Sequence, residues 1–409
     1  MAEKLTIEEA EETVRLTKDL IQIPSTMQDG DEIYHFARHF LQDHGLDAMF
    51  QSIKNPYVDY QRFSNLYLRL GDGEGPKVML NGHLDTVSAG EGWFHSPYDA
   101  HEEEGRIYGL GAADMKGGCA AAMMAVTALM HRREELSGEL LLSCVFGEEA
   151  PFSLGADTLL REFDLDGYDL VIVTEPSSLL AINDYCLVHK RLHKRPGFPV
   201  AIVGAEGRVL FEVELFGRSS HASHPSQGIN ALHAAALIIS KLQDFDLYSH
   251  IKMGRGHYVV LKIEGGNDSF TVPHYAKVSI NRQLTLGETE ESVLRELRRV
   301  IESLHLQSKV KISKRFSPDP SLEYRPYLFD EDPMISRFMD RLPKPKRGSR
   351  CRMASSSVGD FNLFATRTEV PTLVFGPGGN NIHSPNEYVI RDEVVQTARY
   401  LLDFFMEIY

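Results

Sequence analysis

The sequence predicts an α/β protein, a mostly parallel sheet flanked by helices, interrupted by a smaller α+β domain. Three observations predict it. Short apolar runs at Lys77–Leu80, Glu139–Phe146, Asp169–Val173 and Thr372–Phe375 are bounded by Gly, Asn or Pro, as buried strands are. Helical stretches such as Gly117–His131 lie between them, so the outer parts alternate β and α. The middle of the chain changes pattern. At 409 residues the chain also exceeds one ordinary core, which makes two domains the expectation.

The elements follow in order. Thr6 with Glu9 three residues on forms a capping box ahead of Ala10, Val14, Leu16, Leu20 and Ile21, and Pro24 ends that first helix. A second helical pattern covers Tyr34 to His44. In the middle, Gly207–Gly217 alternates as a strand and Ile229–Leu242 forms an amphipathic helix. Strands at His257–Ile263 and Ala276–Leu284, a helix at Thr289–Leu304 and a strand at Lys309–Ser313 follow. That β-α-β-β-α-β order is ferredoxin-like. The division expected is a catalytic domain over 1–205 and 317–409, with the inserted domain over 206–316. The Lys- and Pro-rich run Leu342–Arg352 reads as an exposed loop.

Composition excludes several classes. No stretch reaches the roughly 18 apolar residues of a membrane span, and the charged N-terminal pattern lacks a secretory apolar core, so a soluble cytoplasmic protein is expected. Cys119, Cys144, Cys186 and Cys351 have no paired spacing, which leaves His and carboxylates as the metal ligands available. A formal charge of −15 disfavours a nucleic-acid surface, because neutralising phosphates needs a basic face.

His and acidic residues gather just beyond the ends of the predicted strands, where open α/β sheets place their sites. His83 and Asp85 follow Val78-Met-Leu-Asn-Gly, and Asp114 lies in Gly109-Leu-Gly-Ala-Ala-Asp-Met-Lys-Gly-Gly118 at the head of a helix. Glu148 and Glu149 follow Cys144-Val-Phe-Gly, Glu175 follows Val173-Thr, and His383 comes soon after Phe375-Gly-Pro-Gly-Gly. Each alone has an ordinary reading: a hydrogen-bonded His-x-Asp pair, a solvated glutamate pair, a helix cap, a loop histidine. Their order and surroundings together point to one rim.

With these residues the sequence resembles the co-catalytic zinc hydrolases that include acetylornithine deacetylase, succinyl-diaminopimelate desuccinylase, aminoacylase and carboxypeptidase G. The resemblance runs over nearly the whole chain. It rests on Asn81-Gly-His-Leu-Asp-Thr-Val87, Gly147-Glu-Glu149, Thr174-Glu-Pro176 and His383-Ser-Pro-Asn-Glu387. It implies a zinc-exopeptidase-like fold and two Zn²⁺ per chain, for which Co²⁺ or Mn²⁺ substitutes, with Asp114 bridging them. His83 and Glu175 would complete one ion, Glu149 and His383 the other, and Glu148 would be the general base. Chemistry agrees with that division: two dications against the carboxylates of Asp114, Glu149 and Glu175 keep a positive balance that favours a bound hydroxide. Asp85, two residues after His83, is placed to accept the other imidazole N–H and fix the tautomer.

The inserted domain adds a second set. Gly217-Arg-Ser-Ser-His221-Ala-Ser-His resembles the family's lid motif, in which the histidine stabilises the tetrahedral oxyanion; the plain alternative is that His221 and His224 decorate a turn. Arg282, in Ile280-Asn-Arg-Gln-Leu, matches an arginine associated with substrate carboxylates, the alternative being a surface strand arginine in an ion pair. Asn267 is a further substrate-side candidate or a turn asparagine. Gly378 and Gly379 either bring backbone N–H groups to substrate or shape the turn before His383.

Departures bear on substrate. Asn281 stands where the family often has Asp, and Ser177–Pro199 looks inserted, with Lys190, Arg191, Lys194 and Arg195 in it. A second basic run, Lys344 to Arg352, precedes Ser355-Ser-Ser-Val-Gly-Asp-Phe-Asn362, which resembles a substrate-side loop of the deacetylase branch. Both runs are either solvated loops or recognise an acidic acyl group. The Gly109-Leu-Gly segment lacks the third glycine of a dinucleotide loop, and a non-catalytic binding protein would have lost ligands that are all present here. The expectation is an amide hydrolase acting on an N-acyl amino acid, with a dipeptidase or carboxypeptidase as the alternative. A homodimer through the lid is expected, with His221 acting in its own chain or across the interface.

Overall fold

The computed structural model describes residues 5–54, 62–149, 153–186, 197–243, 247–266, 269–315, 323–343 and 352–409. The chain opens with α1 (Ile7–Gln22), α2 (Glu32–Asp43), β1 (Met49–Lys54), β2 (Arg62–Leu70), β3 (Lys77–His83), β4 (His101–Glu103) and β5 (Arg106–Tyr108). There follow α3 (Gly117–Met130), β6 (Glu139–Val145), α4 (Leu154–Glu162), β7 (Leu170–Val173), α5 (Ser177–Leu180), β8 (Ala181–Cys186) and β9 (Ala201–Ala205). The middle holds β10 (Gly207–Phe216), α6 (Ala231–Gln243), β11 (Ser249–His250), β12 (Gly254–Arg255), β13 (His257–Gly265), β14 (Tyr275–Leu284), α7 (Glu290–Ser303) and β15 (Lys309–Lys314). The chain ends with β16 (Tyr327–Leu328), α8 (Pro333–Met339), β17 (Arg352–Ser355), α9 (Asp360–Arg367), β18 (Thr372–Val374), β19 (Gly379–Asn380), β20 (Tyr388–Ile390) and α10 (Arg391–Ile408).

Two compact units result, Met1–Ala205 with Leu328–Tyr409, and Glu206–Tyr327. The second cut therefore falls later than the expected 316/317. A bridge between Arg208 and Tyr324 joins Tyr324 to β10 of the second unit.

In the first unit ten strands form one sheet in the order β1-β2-β6-β3-β7-β18-β9-β17-β8, with β16 added beside β9. Its centre is parallel: β3 pairs in parallel with β6 and β7, and β7 with β18. Strands buried on both faces read as continuous apolar runs, which is why β6 is buried along its whole length. Helix α3, Gly- and Ala-rich and apolar all round, is buried from Gly117 to Leu129 and packs with α1 and α10. Gly118 lets α3 lie close against the end of β7, since a Cβ there would lie 1.9 Å from the Thr174 carbonyl oxygen. The capping box of Thr6 and Glu9 is present at the start of α1. The hairpin of β1 and β2 and the strands β8, β9 and β17 are additions to the elements read from sequence. A separate small sheet, β19-β20-β5-β4, stands beside the main one.

The second unit is antiparallel throughout its main sheet, in the order β13-β14-β10-β15, the ferredoxin-like arrangement that its element order implied. Val209, Phe211, Val213 and Leu215 alternate inward from β10 and join Ile238 of α6 and Leu297 and Val300 of α7 in its core.

Candidate active site and metal centre

The parallel strands end at a common rim, and the first unit places its acidic and His residues there. His83 is the last residue of β3, and its buried ring sets Nε2 3.2 Å from Asp114 Oδ1 and 3.3 Å from Glu175 Oε1. Glu175 lies just past β7, where the Thr174 N–H donates to the Asn81 carbonyl at 2.9 Å and ties this strand end to β3. Asp114 precedes α3, and its other oxygen, Oδ2, lies 3.3 Å from His383 Nε2. His383 Nε2 is also 3.0 Å from both carboxylate oxygens of Glu149. Asp114 thus stands between two three-residue sets, His83–Asp114–Glu175 and Asp114–Glu149–His383, each of which could hold a metal ion.

Electrostatics match that donor set. Burial, and then the nearby Asp114 charge, pushes Glu175 up to about 8 and raises Glu149. Burial likewise raises Glu148 well above the carboxylate range, against the pull of His83. Burial opposes charge on His83, but Asp114 and Glu175 outweigh it and hold the imidazole well above its usual value. Burial would also raise Asp114, yet His383 and His83 keep it below the carboxylate range. Hydrogen bonding to Asp114 and Glu149 lifts His383 to about 11. Three buried or half-buried carboxylates, those of Asp114, Glu149 and Glu175, beside two imidazoles form an oxygen and nitrogen donor set that divalent cations neutralise well. Glu148 stands in the same cluster, its Oε2 4.0 Å from His83 Nε2.

One expected role is corrected. His83 Nδ1 lies 2.9 Å from the backbone carbonyl of Asp85, while the Asp85 carboxylate is 3.7 Å away. That carboxylate accepts instead from the backbone N–H groups of Glu149 at 3.1 Å and Glu148 at 3.4 Å. Asp85 fixes the imidazole through its main chain and the glutamate turn through its side chain.

Two substrate-side expectations also change. Arg282 is fully buried in the second unit, its Nη2 2.5 Å from Glu288 Oε1 and its Nε 3.4 Å from Glu296 Oε1, with the Tyr258 ring 5.0 Å from the guanidinium carbon. It is the arginine of a buried ion pair rather than an exposed fork for a carboxylate. The Gly378 N–H donates to Glu393 Oε2 on α10 at 2.7 Å, so it is engaged with that helix rather than with a ligand. His221 is exposed in the second unit, with Nδ1 2.7 Å from Ser223 Oγ. Asn267 lies outside the described residues, as do the basic residues 190–195 and 344–351. Arg352 is described, and its guanidinium goes to the Asp330 carbonyl and to Ser336 Oγ.

Sequence reasoning gave no role to Glu387, Lys116 or Asp360. Glu387, in the quoted His383-Ser-Pro-Asn-Glu motif, is buried and accepts from the N–H groups of Gly111 and Ala113 at 2.9 Å and of Asp114 at 3.0 Å. Lys116 is buried with Nζ 2.8 Å from the Ile23 carbonyl, and burial brings it down to about 7. Asp360, at the start of α9, is pushed up to about 7 by burial. Motif position offered a signal for Glu387 alone. A cavity of about 570 Å³ in the second unit, lined by Arg208, Tyr324 and the start of α7, holds none of these candidate ligands.

The model of peptidase family M20/M25/M40 matches residues 79–407, a span that includes every member of both three-residue sets. The chain belongs to that family. It is a metal-dependent amidohydrolase of the M20 kind, built on a central, mostly parallel sheet flanked by helices. Among curated relatives, the succinyl-diaminopimelate desuccinylase of Nitratiruptor sp. is 26% identical over 388 residues, covering 94% of this chain and 96% of the relative. That of Paracoccus denitrificans is 29% identical over 352 residues, covering 84% and 86%. Among solved structures, a tripeptidase from Staphylococcus aureus superposes with a TM-score of 0.76 at 20% identity, covering 98% of both chains. A Bacillus subtilis protein described as a dinuclear metal binding peptidase of the M20 family gives 0.69 at 15% identity, covering 98% of this chain and 99% of that one. No helix among the described residues of this M20 member is long and apolar enough to cross a membrane.

Proposed function

We propose that this M20 member is a cytoplasmic two-zinc deacylase that hydrolyses the amide bond of an N-acyl amino acid. The observation that carries the reading is Asp114, whose two carboxylate oxygens face His83 at 3.2 Å and His383 at 3.3 Å, one in each candidate set. Nitrogen and oxygen donors in sets of this kind suit zinc, with cobalt or manganese as substitutes. When bound, paired ions supply an activated water and polarise a carbonyl. The rest falls to the chain's own side chains. Glu148, beside both sets and raised by burial, takes the water's proton and returns it to the leaving amine. Asp85 holds the turn that aims Glu148 and Glu149, and fixes His83 through its carbonyl. His221 is assigned to the developing oxyanion, where a positioned donor counts most.

Relatives named as desuccinylases support an N-acyl amino acid substrate, and neighbours named as peptidases support the alternative, a short peptide. Homodimerisation through the second unit is supported by its edge strand β13, where Val259, Leu261 and Ile263 are exposed apolar residues, as is Leu237 on α6. The test is a hydrolysis screen of acetyl- and succinyl-amino acids and dipeptides, with zinc or cobalt added and again after chelation. Metal-dependent release of the amino acid from acyl substrates is expected. Cleavage confined to dipeptides favours the peptidase, and activity indifferent to strong chelators contradicts the paired centre.

A further inference from the structure

A second group of ligand-type side chains lies on the small sheet of the first unit. His101 and Glu103 are two residues apart on β4, so both leave the same face of the strand. His95, in the segment before β4, stacks its ring on His101, with centroids 3.8 Å apart and planes at 23°. Each of the three residues offers a ligand atom, and these atoms all lie within 4.8 Å of one another. Glu102 points the other way and is engaged with Lys18 at 2.7 Å and Arg391 at 3.2 Å, which keeps it out of the group.

We infer that His95, His101 and Glu103 form a third metal site, separate from the paired centre, which takes one divalent transition-metal ion such as Zn²⁺. Two imidazoles and one carboxylate make a donor set that zinc uses elsewhere with water in the remaining position. His95 and Glu103 are exposed and His101 is half-buried, so water has access to the group. Three partly exposed ligands with one negative charge hold an ion less tightly than the buried, carboxylate-rich pair. Transition ions suit imidazole, whereas Mg²⁺ prefers oxygen and does not compete.

Occupancy has a mechanical consequence. The Phe94 N–H donates to Asn386 Oδ1 at 2.8 Å, and Asn386 Nδ2 donates to the Gly92 carbonyl at 3.3 Å. Asn386 sits in the turn between β19 and β20 that also carries His383 and Glu387. An ion joining His95 to β4 therefore braces, from outside, the turn that presents His383.

The experiment is equilibrium dialysis of the full chain against graded, buffered Zn²⁺, with bound zinc counted by mass spectrometry and Tm followed in parallel. The parent is expected to reach about three equivalents, the last one weaker than the others. His95→Ala/His101→Ala is expected to stop about one equivalent short and to lose the rise in Tm that accompanies the weak step. His101→Gln alone gives the same answer should the double variant fold poorly. Saturation of the parent without a weak step, or a weak step kept in these variants, overturns the site. Failure of the tight ions to load would count against the paired centre instead, because the third site is read from the step that the histidine variants remove.

Discussion

The carboxylate of Asp85 accepts the backbone N–H of Glu149 at 3.1 Å, so one aspartate side chain holds the turn that presents a candidate ligand and its neighbouring base. His83, by contrast, is held by the Asp85 main chain. Asp85→Ala removes the first restraint and leaves the second. Outer partners of metal ligands are typically worth about 10–100-fold in affinity or activity. The loss should fall mainly on the ion held by Glu149 and His383, which stepwise metal titration by calorimetry resolves. Equal weakening of both ions, or turnover like the parent's, would show that the turn is fixed by other contacts.

Glu387 gathers three backbone N–H groups around the segment that leads into Asp114. In Glu387→Gln one acceptor oxygen becomes an NH₂ group facing donors inside a buried cluster. An unsatisfied buried donor costs about 1–3 kcal/mol, visible in the urea midpoint. Because Asp114 faces both sets, affinity should drop for both ions, in contrast to Asp85→Ala. A variant with unchanged midpoint and unchanged metal affinity would leave Glu387 without the role assigned to it.

Arg282 separates a structural arginine from a substrate-binding one. Arg282→Met strands Glu288 and Glu296 without their guanidinium, and removing one partner of a buried ion pair typically costs about 3–5 kcal/mol. Thermal or urea unfolding should show that loss, while KM of the folded fraction stays near the parent value. Raised KM at unchanged stability would restore the role inferred from the resemblance.

The rim itself was legible because apolar strand runs followed at once by His, Asp or Glu announce where buried strands deliver polar side chains. His83 after Val78–Leu80 and Glu175 after Leu170–Val173 are of this kind. What sequence did not settle was which atom of a residue does the work. Asp85 was rightly placed beside His83, but spacing does not distinguish its carbonyl from its carboxylate. For Arg282 a signal existed: on β14 it shares the inward face with Ala276, Val278 and Ile280, and that alternation marks it as buried. For Glu387 the signal was its place in the His383-Ser-Pro-Asn-Glu motif and nothing more, since an acid after Pro-Asn otherwise reads as a solvated turn until the chain around Gly111 closes over it. The strands β8, β9 and β17 also escaped, being short and formed by pairing with distant segments rather than by local pattern.

In the proposed function Glu148 moves the proton while Glu149, its neighbour, holds metal. The direct measurement compares Glu148→Gln with Glu149→Gln for bound metal after dialysis and for kcat on the best acyl substrate. Glu148→Gln should retain about two ions and the parent's Tm while kcat falls by about 10²-fold or more. Glu149→Gln should instead lose metal. A Glu148→Gln protein with kcat close to that of the parent would show that Glu148 is not the base.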